Sequence, residues 1–339
     1  MIIDSYTHIT PIRYLKSLRA SAGARAEDAI RRLEDIGTRY KQYWDVEARI
    51  ELLKRYGIDM QAVSVHNIID PNSSGLRGEN LIKLCASVND EISAICERSR
   101  GALIGIGAAP LWSIDDGGAD EMRRAVEDLG LKGFMILTNV DGIPADKFGK
   151  FWQEADRLSC VVHLHPADPN ESSGREYEDE YDMTHVFGWP FETTLILTRL
   201  VFSGTLKRNP RVRVVSHHAG GMIPFFAGRI SESYSAKTVQ IRPDQTSDIL
   251  ASGDPFDDFR SGQIYYDTAV GGNPHAVKCA INVFGHDKMV FATDFPWGPN
   301  GGIHRLERYP KIISSLELEE DQLECVFYKN ASKLFRLSL

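Results

Sequence analysis

An eightfold alternation of short apolar segments with helical patterns constrains the fold of this chain more than any other feature. Each apolar segment has the length of a buried strand, and residues with helical spacing follow it. Alternation of this kind predicts a parallel sheet whose strands are joined by crossover helices. The predicted strands are residues 1–9, 60–65, 103–109, 131–137, 160–164, 212–216, 264–268 and 289–293. The main predicted helices are residues 24–35, 45–56, 81–98, 120–129, 147–158, 190–203, 224–235, 274–283 and 321–335.

Eight strand–helix units in 339 residues fit an α/β fold of the (β/α)8 TIM-barrel type with insertions. An open doubly wound sheet is the alternative, but no glycine-rich turn follows the first strand, which argues against a dinucleotide site. No boundary divides the chain, so we expect a single domain over residues 1–339. The polar segments 11–43 and 238–255 are predicted insertions over the barrel mouth, although the first also fits a solvated helical hairpin.

Composition and charge exclude several classes of function. A net charge of -8 and a pI near 5.7 argue against non-specific binding to DNA or RNA. No apolar run approaches the length of about 18–20 residues that a membrane span needs, and no basic region with an apolar signal core precedes the first strand. None of the five cysteines forms a CxxC pair, and an odd number does not make a disulfide framework. We therefore expect a reducing, cytoplasmic location.

Histidines and one aspartate crowd the predicted strand ends. Active sites of barrels lie at the carboxyl ends of the strands. A lone histidine there is commonly a packed core residue, but several on one rim with a carboxylate form a ligand set that zinc, manganese or iron accepts. The polar residues at these ends are Tyr6, His8, His66, His163, His165, His217, His218 and Asp294.

Several segments spread over nearly the whole chain carry a resemblance to a known family. They are Tyr6-Thr7-His8, Trp44-Asp45 with Arg49, GIDMQAVS (57–64), His165-Pro166, FETTLILTRLVFSGTLKRNP (191–210), HAGGMIPFFAGRI (218–230), YYDTAV (265–270), FATDFPWG (291–298) and NASKLF (330–335). Together they are specific, although none would suffice alone. With them the chain resembles the amidohydrolase superfamily, in the branch of non-oxidative decarboxylases similar to aminocarboxymuconate semialdehyde decarboxylase and γ-resorcylate decarboxylase.

The resemblance implies a barrel of the metal-dependent hydrolase type with one divalent ion, zinc or manganese. Its ligands would be His8, His165 and Asp294, and His218 would be a catalytic histidine beside the ion. A bridging carboxylated lysine is absent, because the fourth strand ends in Leu137-Thr138-Asn139, so the site would be mononuclear.

The resemblance also implies residues that bind a small carboxylate substrate. Arg229 matches an arginine that commonly reaches the neighbouring subunit's site, so a homodimer is implied. Arg39 matches a second carboxylate-binding arginine if the alignment takes a short gap. The alternatives are a helix salt bridge for Arg229 and a surface position for Arg39. Phe191 and Trp297 either line a planar substrate or belong to the ordinary core.

Tyr6 departs from the family pattern, which has histidine or glutamate at this position. A neutral phenol is a poor ligand unless the ion deprotonates it. Three outcomes are open: three protein ligands with water, a Tyr6 phenolate ligand, or a site that holds metal weakly or not at all. In the first, Tyr6 would donate a hydrogen bond to a substrate oxygen. We expect packing roles for His163 and His217 and assign no role to His66.

Three functions follow from these residues. The first is metal-dependent non-oxidative decarboxylation of a small unsaturated or aromatic carboxylic acid, with His218 and Asp294 moving the proton. The second is metal-dependent hydrolysis or hydration of a small acidic cyclic or aromatic substrate. The third is a metal-poor barrel that binds a ligand without turnover, which only Tyr6 favours.

Overall fold

The computed structural model of the protein describes residues 1–167, 181–235 and 254–338. The predicted insertion at residues 238–255 therefore lies almost entirely outside the described residues. Within them, no helix is long and apolar enough to cross a membrane. All five cysteines are free.

Parallel strands form the centre of the molecule. In chain order the strands are β1 (Ile3–His8), β2 (Met60–Ser64), β3 (Leu103–Gly105), β4 (Gly107–Ala108), β5 (Gly133–Leu137), β6 (Asn139–Val140), β7 (Ile143–Pro144), β8 (Val161–His165), β9 (Arg213–Ser216), β10 (Ile264–Asp267) and β11 (Met289–Val290). β3 pairs with β2 and β4 pairs with β5, so these two short segments are halves of one barrel strand. β6 and β7 form a separate antiparallel hairpin.

The barrel closes between its first and last strands. The Ser5 N–H donates to the Phe291 carbonyl at 2.7 Å, and the Asp294 N–H donates to the Tyr6 carbonyl at 3.0 Å. These bonds join β1 to the segment after β11 and complete a ring of eight parallel barrel strands. The predicted (β/α)8 fold is confirmed.

Helices surround this barrel. They are α1 (Ile12–Ala22), α2 (Ala24–Arg39), α3 (Val46–Tyr56), α4 (Gly78–Arg98), α5 (Ala119–Glu127), α6 (Gly149–Arg157), α7 (Trp189–Phe202), α8 (Thr205–Arg208), α9 (Ala227–Ser235), α10 (Pro255–Phe259), α11 (Pro274–Phe284), α12 (Ile303–Ser314), α13 (Glu320–Glu324) and α14 (Asn330–Phe335). The sequence sets their ends locally. For example, the Asp45 side chain caps α3, and Gly57 ends it in a left-handed conformation with a φ of 68°.

The insertion between β1 and β2 folds as the hairpin of α1 and α2. Arg19 of α1 joins the two helices through ion pairs of 2.9 Å with Glu27 and with Glu34. The Tyr14 hydroxyl donates to the Ile69 carbonyl at 2.5 Å, in the loop after β2. The hairpin is therefore tied to a loop at the carboxyl end of the barrel.

A buried polar network fixes the strands that carry the predicted site. Arg49 is fully buried and donates to Gln61 at 2.8 Å and to the His8 carbonyl at 2.6 Å. Gln61 in turn donates to Asp4 at 2.8 Å, and Asp4 accepts from the Thr293 N–H at 2.9 Å. The network links β1, β2 and the exit of β11, so it holds the backbone beneath the mouth of the barrel.

Candidate active site

β1 ends in His8, whose ring is fully buried and fixed by a backbone acceptor. Its Nδ1 lies 2.9 Å from the carbonyl oxygen of Val65, just after β2. A ring N–H donated to this carbonyl leaves a lone pair on Nε2, which is the usual arrangement of a histidine that binds metal.

Asp294 follows β11 and faces His8. Its backbone has a φ of 58°, a left-handed conformation that is uncommon outside glycine. Asp294 Oδ1 lies 3.4 Å from His8 Nε2, and neither atom has a hydrogen-bond partner among the described residues. Two donor atoms about 2.0–2.1 Å from one zinc ion, at the tetrahedral angle, lie about 3.3–3.4 Å apart. The His8–Asp294 pair therefore fits one edge of a metal site.

The second Asp294 oxygen is held by Arg305 of α12. Arg305 Nη1 donates to Asp294 Oδ2 at 2.6 Å and to the carbonyl oxygens of Thr293 and Asp294 at 3.2 Å each. Burial alone would raise the pKa of Asp294, but Arg305 and the His8 ring hold this pKa well below its usual range. Asp294 is thus an ionised carboxylate with one oxygen anchored and one oxygen open.

His165, the third predicted ligand, ends β8. Its Nδ1 lies 2.8 Å from the Pro166 carbonyl, and its ring centroid lies 5.2 Å from that of His8. Burial lowers the pKa of His165 well below its usual range, so the ring is neutral. In the part of the chain that the structure describes, however, no three His, Cys, Asp or Glu side chains lie close enough to hold an ion together. The structure brings His8 and Asp294 together and leaves His165 one ring away.

His218 lies on the turn after β9, with a φ of 55°. Its Nδ1 is 3.4 Å from the Thr193 hydroxyl, and burial lowers its pKa well below the usual range. The neighbouring His217 packs against it, with ring centroids 3.9 Å apart, and pairs with the buried Asp267 at the end of β10. His217 thus connects two strand ends while His218 lies beside it.

Tyr6 is fully buried below this site. Its ring stacks between His163, at 4.9 Å, and His217, at 4.3 Å. The Tyr6 hydroxyl donates to the Leu164 carbonyl at 3.1 Å, and burial raises its pKa well above the usual value. Because the Tyr6 phenol keeps its proton, it is not a phenolate ligand. It already donates that single proton to the Leu164 carbonyl. The geometry therefore gives no support to the predictions that Tyr6 binds the metal or a substrate oxygen.

An aromatic corner lies next to His8. His66 is fully buried and stacks on His8, with centroids 5.4 Å apart, and on Tyr43, at 5.6 Å. The rings of Trp297 and His66 lie nearly perpendicular, at 80°, with centroids 5.0 Å apart. Trp297, predicted to line a planar substrate or the core, thus lies one ring away from His8.

The other predicted substrate-binding residues lie at the surface of the single chain. Arg39, Arg229 and Phe191 are exposed, so within one chain they do not line the buried His8–Asp294 pair. Arg32, on the same helix as Arg39, points elsewhere: its guanidinium carbon lies 5.9 Å from the centroid of Trp297. Sequence reasoning gave no role to Arg32.

A cavity of about 490 Å³ opens at the mouth of the barrel. Asp28 and Arg32 of α2 line one side of it. The other side includes Asn67 after β2, Leu137 at the end of β5 and Ala167 after β8. A molecule that enters through this cavity would therefore meet one negative charge, on Asp28, and one positive charge, on Arg32.

The comparison with known families matches one family across the chain. The model for the family described as Amidohydrolase matches residues 3–337. The chain is similar to the 2-amino-3-carboxymuconate-6-semialdehyde decarboxylase of Dictyostelium discoideum, with 28% identity over 75% of this chain and 67% of that protein. It is also similar to the γ-resorcylate decarboxylase of Rhodococcus jostii, with 25% identity over 87% of this chain and 91% of that protein.

Solved structures share the fold. The 5-carboxyvanillate decarboxylase of Sphingomonas paucimobilis superposes with a TM-score of 0.82 and 22% identity, over 99% of both chains. The 5-carboxyvanillate decarboxylase of Novosphingobium aromaticivorans, solved with manganese and a nitrobenzoic acid, gives a TM-score of 0.80 and 19% identity, over 99% of this chain and 96% of that one. The match over residues 3–337 shows that the chain belongs to the amidohydrolase family.

Proposed function

We propose that this protein is a metal-dependent, non-oxidative decarboxylase of a small aromatic or unsaturated carboxylic acid. The observation that carries the proposal is the His8–Asp294 pair, two buried donor atoms 3.4 Å apart without partners among the described residues. The similar proteins from Dictyostelium discoideum and Rhodococcus jostii are both named as decarboxylases, which supports the choice of reaction.

One divalent ion, zinc or manganese, is part of the proposal. His8 and Asp294 are the residues that would hold it, and His165, whose Nδ1 also lies at a backbone carbonyl, would join them by a shift of its ring toward His8. When bound, the ion supplies a positive charge that fixes the substrate carboxylate and withdraws electron density from it. Manganese in a structural neighbour supports this class of ion.

Decarboxylation replaces a carbon–carbon bond with a carbon–hydrogen bond, so a proton must reach the carbon that loses carbon dioxide. His218 and Asp294 are our candidates to move it. The contact of 3.4 Å between His218 Nδ1 and the Thr193 hydroxyl orients the ring and leaves Nε2 for the substrate. Arg305 occupies Oδ2 of Asp294, so Oδ1, the oxygen that would bind the ion, is also the oxygen through which Asp294 would exchange a proton.

The substrate carboxylate needs a cation at the site, and Arg32 is our candidate within one chain. It lines the mouth cavity and lies over Trp297. Two parallel N–H groups of a guanidinium match the two oxygens of a carboxylate. We propose Arg32 for this role in place of Arg39, because both are exposed on α2 but Arg32 lines the mouth cavity and Arg39 is not among the residues that line it.

Arg229 belongs to a proposed homodimer. It lies on α9, close in sequence to the exposed aromatic residues Phe225 and Phe226. In a dimer built on this face, Arg229 would approach the partner's site. We also propose a single domain, which the family match over residues 3–337 supports, and a cytoplasmic location.

Release of carbon dioxide tests the proposed reaction. Carboxyl-labelled aromatic acids are incubated with metal-loaded protein, and labelled carbon dioxide is measured by mass spectrometry. We expect release from at least one acid and a loss of about 1000-fold or more in Asp294→Asn, since a ligand and proton carrier is removed. The exposed Asp128→Asn serves as a control. A product that has gained water without losing carbon dioxide would identify a hydrolase or hydratase instead.

A further inference from the structure

His66 is a buried histidine whose ring nitrogens are both unpaired. None of its surface is exposed, and neither Nδ1 nor Nε2 has a hydrogen-bond partner among the described residues. Buried polar groups are paired in the great majority of cases, by protein, water or ligand. Two unpaired nitrogens in one ring therefore indicate that something else completes this position.

The position of His66 points to a ligand. Its ring stacks on that of His8 at 5.4 Å and meets Trp297 edge-on at 5.0 Å. The next two residues, Asn67 and Ile68, line the mouth cavity. His66 thus contacts the ring of His8 on one side, and the residues that follow it in the chain line the mouth cavity.

The chemistry of the ring limits what it can bind. A neutral imidazole has one donor nitrogen and one acceptor nitrogen. A hydroxyl group can pair with either nitrogen, because it both donates and accepts, whereas a methyl group of similar size can pair with neither.

We propose that His66 is a specificity-determining residue that hydrogen-bonds a ring hydroxyl of the substrate, so that the site prefers planar hydroxy acids over their methyl counterparts. The inference rests on the proposed function and adds to it the substituent that the site selects. Stacking on His8 and contact with Trp297 would hold the imidazole in one plane while it makes this bond.

His163 provides a matched control. It is also a buried histidine, and its Nε2 also lacks a partner among the described residues. It packs in a deeper layer, stacked on Tyr6 at 4.9 Å and beside Phe335 at 6.1 Å. Replacement of either histidine by phenylalanine keeps an aromatic ring and removes the nitrogens.

The test is calorimetric binding to the metal-loaded, full-length protein. The probes are 2-, 3- and 4-hydroxybenzoate and the corresponding methylbenzoates, measured with wild type, His66→Phe and His163→Phe. We expect wild type to prefer the hydroxyl probe at one ring position by about 3- to 10-fold, as one hydrogen bond supplies. The ratio of the affinities for the hydroxyl and methyl probes should fall to about one in His66→Phe and should be unchanged in His163→Phe. A double-mutant cycle between protein and probe isolates this bond from other effects.

Thermal unfolding shows whether each variant is folded. If His66→Phe is not folded, the pair His66→Gln and His66→Leu makes the same comparison, with the preference retained in part only by glutamine. A preference that survives in His66→Phe, or a wild type that shows none at any position or binds none of the probes, overturns the proposal. Binding is measured apart from turnover, so a protein that selects hydroxyl probes through His66 but releases no carbon dioxide rejects only the proposed reaction.

Discussion

At the scale of single residues, different neighbours lie at the two carboxylate oxygens of Asp294. Arg305 holds Oδ2 at 2.6 Å, and Oδ1 remains open toward His8 Nε2. The His8 ring is oriented in turn by the Val65 carbonyl. Each of the two donor atoms is therefore placed by a neighbour that binds the other end of the same side chain. This arrangement is preorganised, because neither group must leave a protein partner before it binds an ion.

Arg32 and Arg39 both lie on α2, but their substitution should affect substrate binding differently. If Arg32 binds the substrate carboxylate, Arg32→Gln should weaken binding of benzoate to the metal-loaded protein by about 10- to 100-fold, as the loss of a hydrogen bond between charged groups does. Arg39→Gln should change this affinity by less than about 2-fold, since Arg39 does not line the cavity and an exposed charge away from the ligand contributes little. Isothermal titration calorimetry measures both. A loss in Arg39→Gln alone would restore the role that the sequence suggested for Arg39.

The sequence identifies some of these residues and not others, for physical reasons. His8, His165 and Asp294 can be found because each ends a strand, and the carboxyl ends of barrel strands share one rim. Arg305 cannot be found in this way, because it reaches Asp294 from a helix that packs outside the barrel. The roles of Tyr6 and His66 depend on ring stacking between distant strands, which no spacing in the sequence records.

At the scale of elements, the loop after β2 contains a buried acid. Asp70 accepts two hydrogen bonds from Asn72 on Oδ1, at 2.8 and 3.1 Å, while its Oδ2 has no partner among the described residues. Burial raises the pKa of Asp70 from 3.8 to about 6. The folded state therefore binds this proton more tightly than the unfolded state does.

The stability of the fold should depend on Asp70 between about pH 4 and pH 6. Because the folded-state pKa is raised, this group stabilises the fold below pH 4 and loses that contribution as pH rises through 6, by up to about 3 kcal/mol. Asp70→Asn keeps an acceptor for Asn72 and should remove this dependence of the free energy of unfolding on pH. Urea unfolding across the pH range measures it, with Asp128→Asn as the control for an exposed acid at the end of α5. Equal slopes in wild type and Asp70→Asn would contradict the assignment.

The sequence predicts the strands and helices well where their hydrophobic pattern is regular. Most barrel strands lie within two residues of their predicted bounds, because short apolar runs between helices have few alternatives. α12 was not predicted: it contains Pro310, which normally ends a helix, and follows a run of glycines. For residues 11–43 the structure agrees with the alternative interpretation, a helical hairpin, although the sequence pattern gave helix bounds only for residues 24–35 and none for α1.

At the scale of the whole molecule, several aromatic and aliphatic side chains are exposed. Phe225 is 80% exposed, and Phe226, Phe187 and Val186 are each exposed by at least 43%. Contiguous exposed apolar surface commonly marks an interface between proteins. Phe225 and Phe226 lie against each other, with ring centroids 5.0 Å apart, and we place the proposed homodimer on them and on Arg229 of α9.

Oligomeric state tests this placement. Phe225→Ser should shift the protein from dimer toward monomer, with at least a 10-fold weaker association, because a large exposed ring would no longer be buried in the interface. Ile143→Ser, at an exposed position on the β6–β7 hairpin, should leave the association unchanged. Sedimentation equilibrium measures both variants. A wild-type monomer, or an equal effect of both substitutions, would contradict the proposed interface.

The sequence predicts the closed barrel better than any other feature of the molecule. It predicts the role of Tyr6 least well. Eight strand–helix units leave few folds to choose from. In contrast, whether the first-strand tyrosine binds metal depends on where one hydroxyl points. In the structure it points to the Leu164 carbonyl, inside the stack of His163 and His217.

We propose that this barrel holds one divalent ion at the His8–Asp294 pair without help from Tyr6. Elemental analysis by mass spectrometry, on wild type, Tyr6→Phe and Tyr6→His purified without added metal, tests it most directly. We predict about one ion per chain in wild type and in Tyr6→Phe, because the Tyr6 hydroxyl donates to the backbone. Loss of the ion in Tyr6→Phe, or a wild type that is empty while Tyr6→His fills, would contradict the claim.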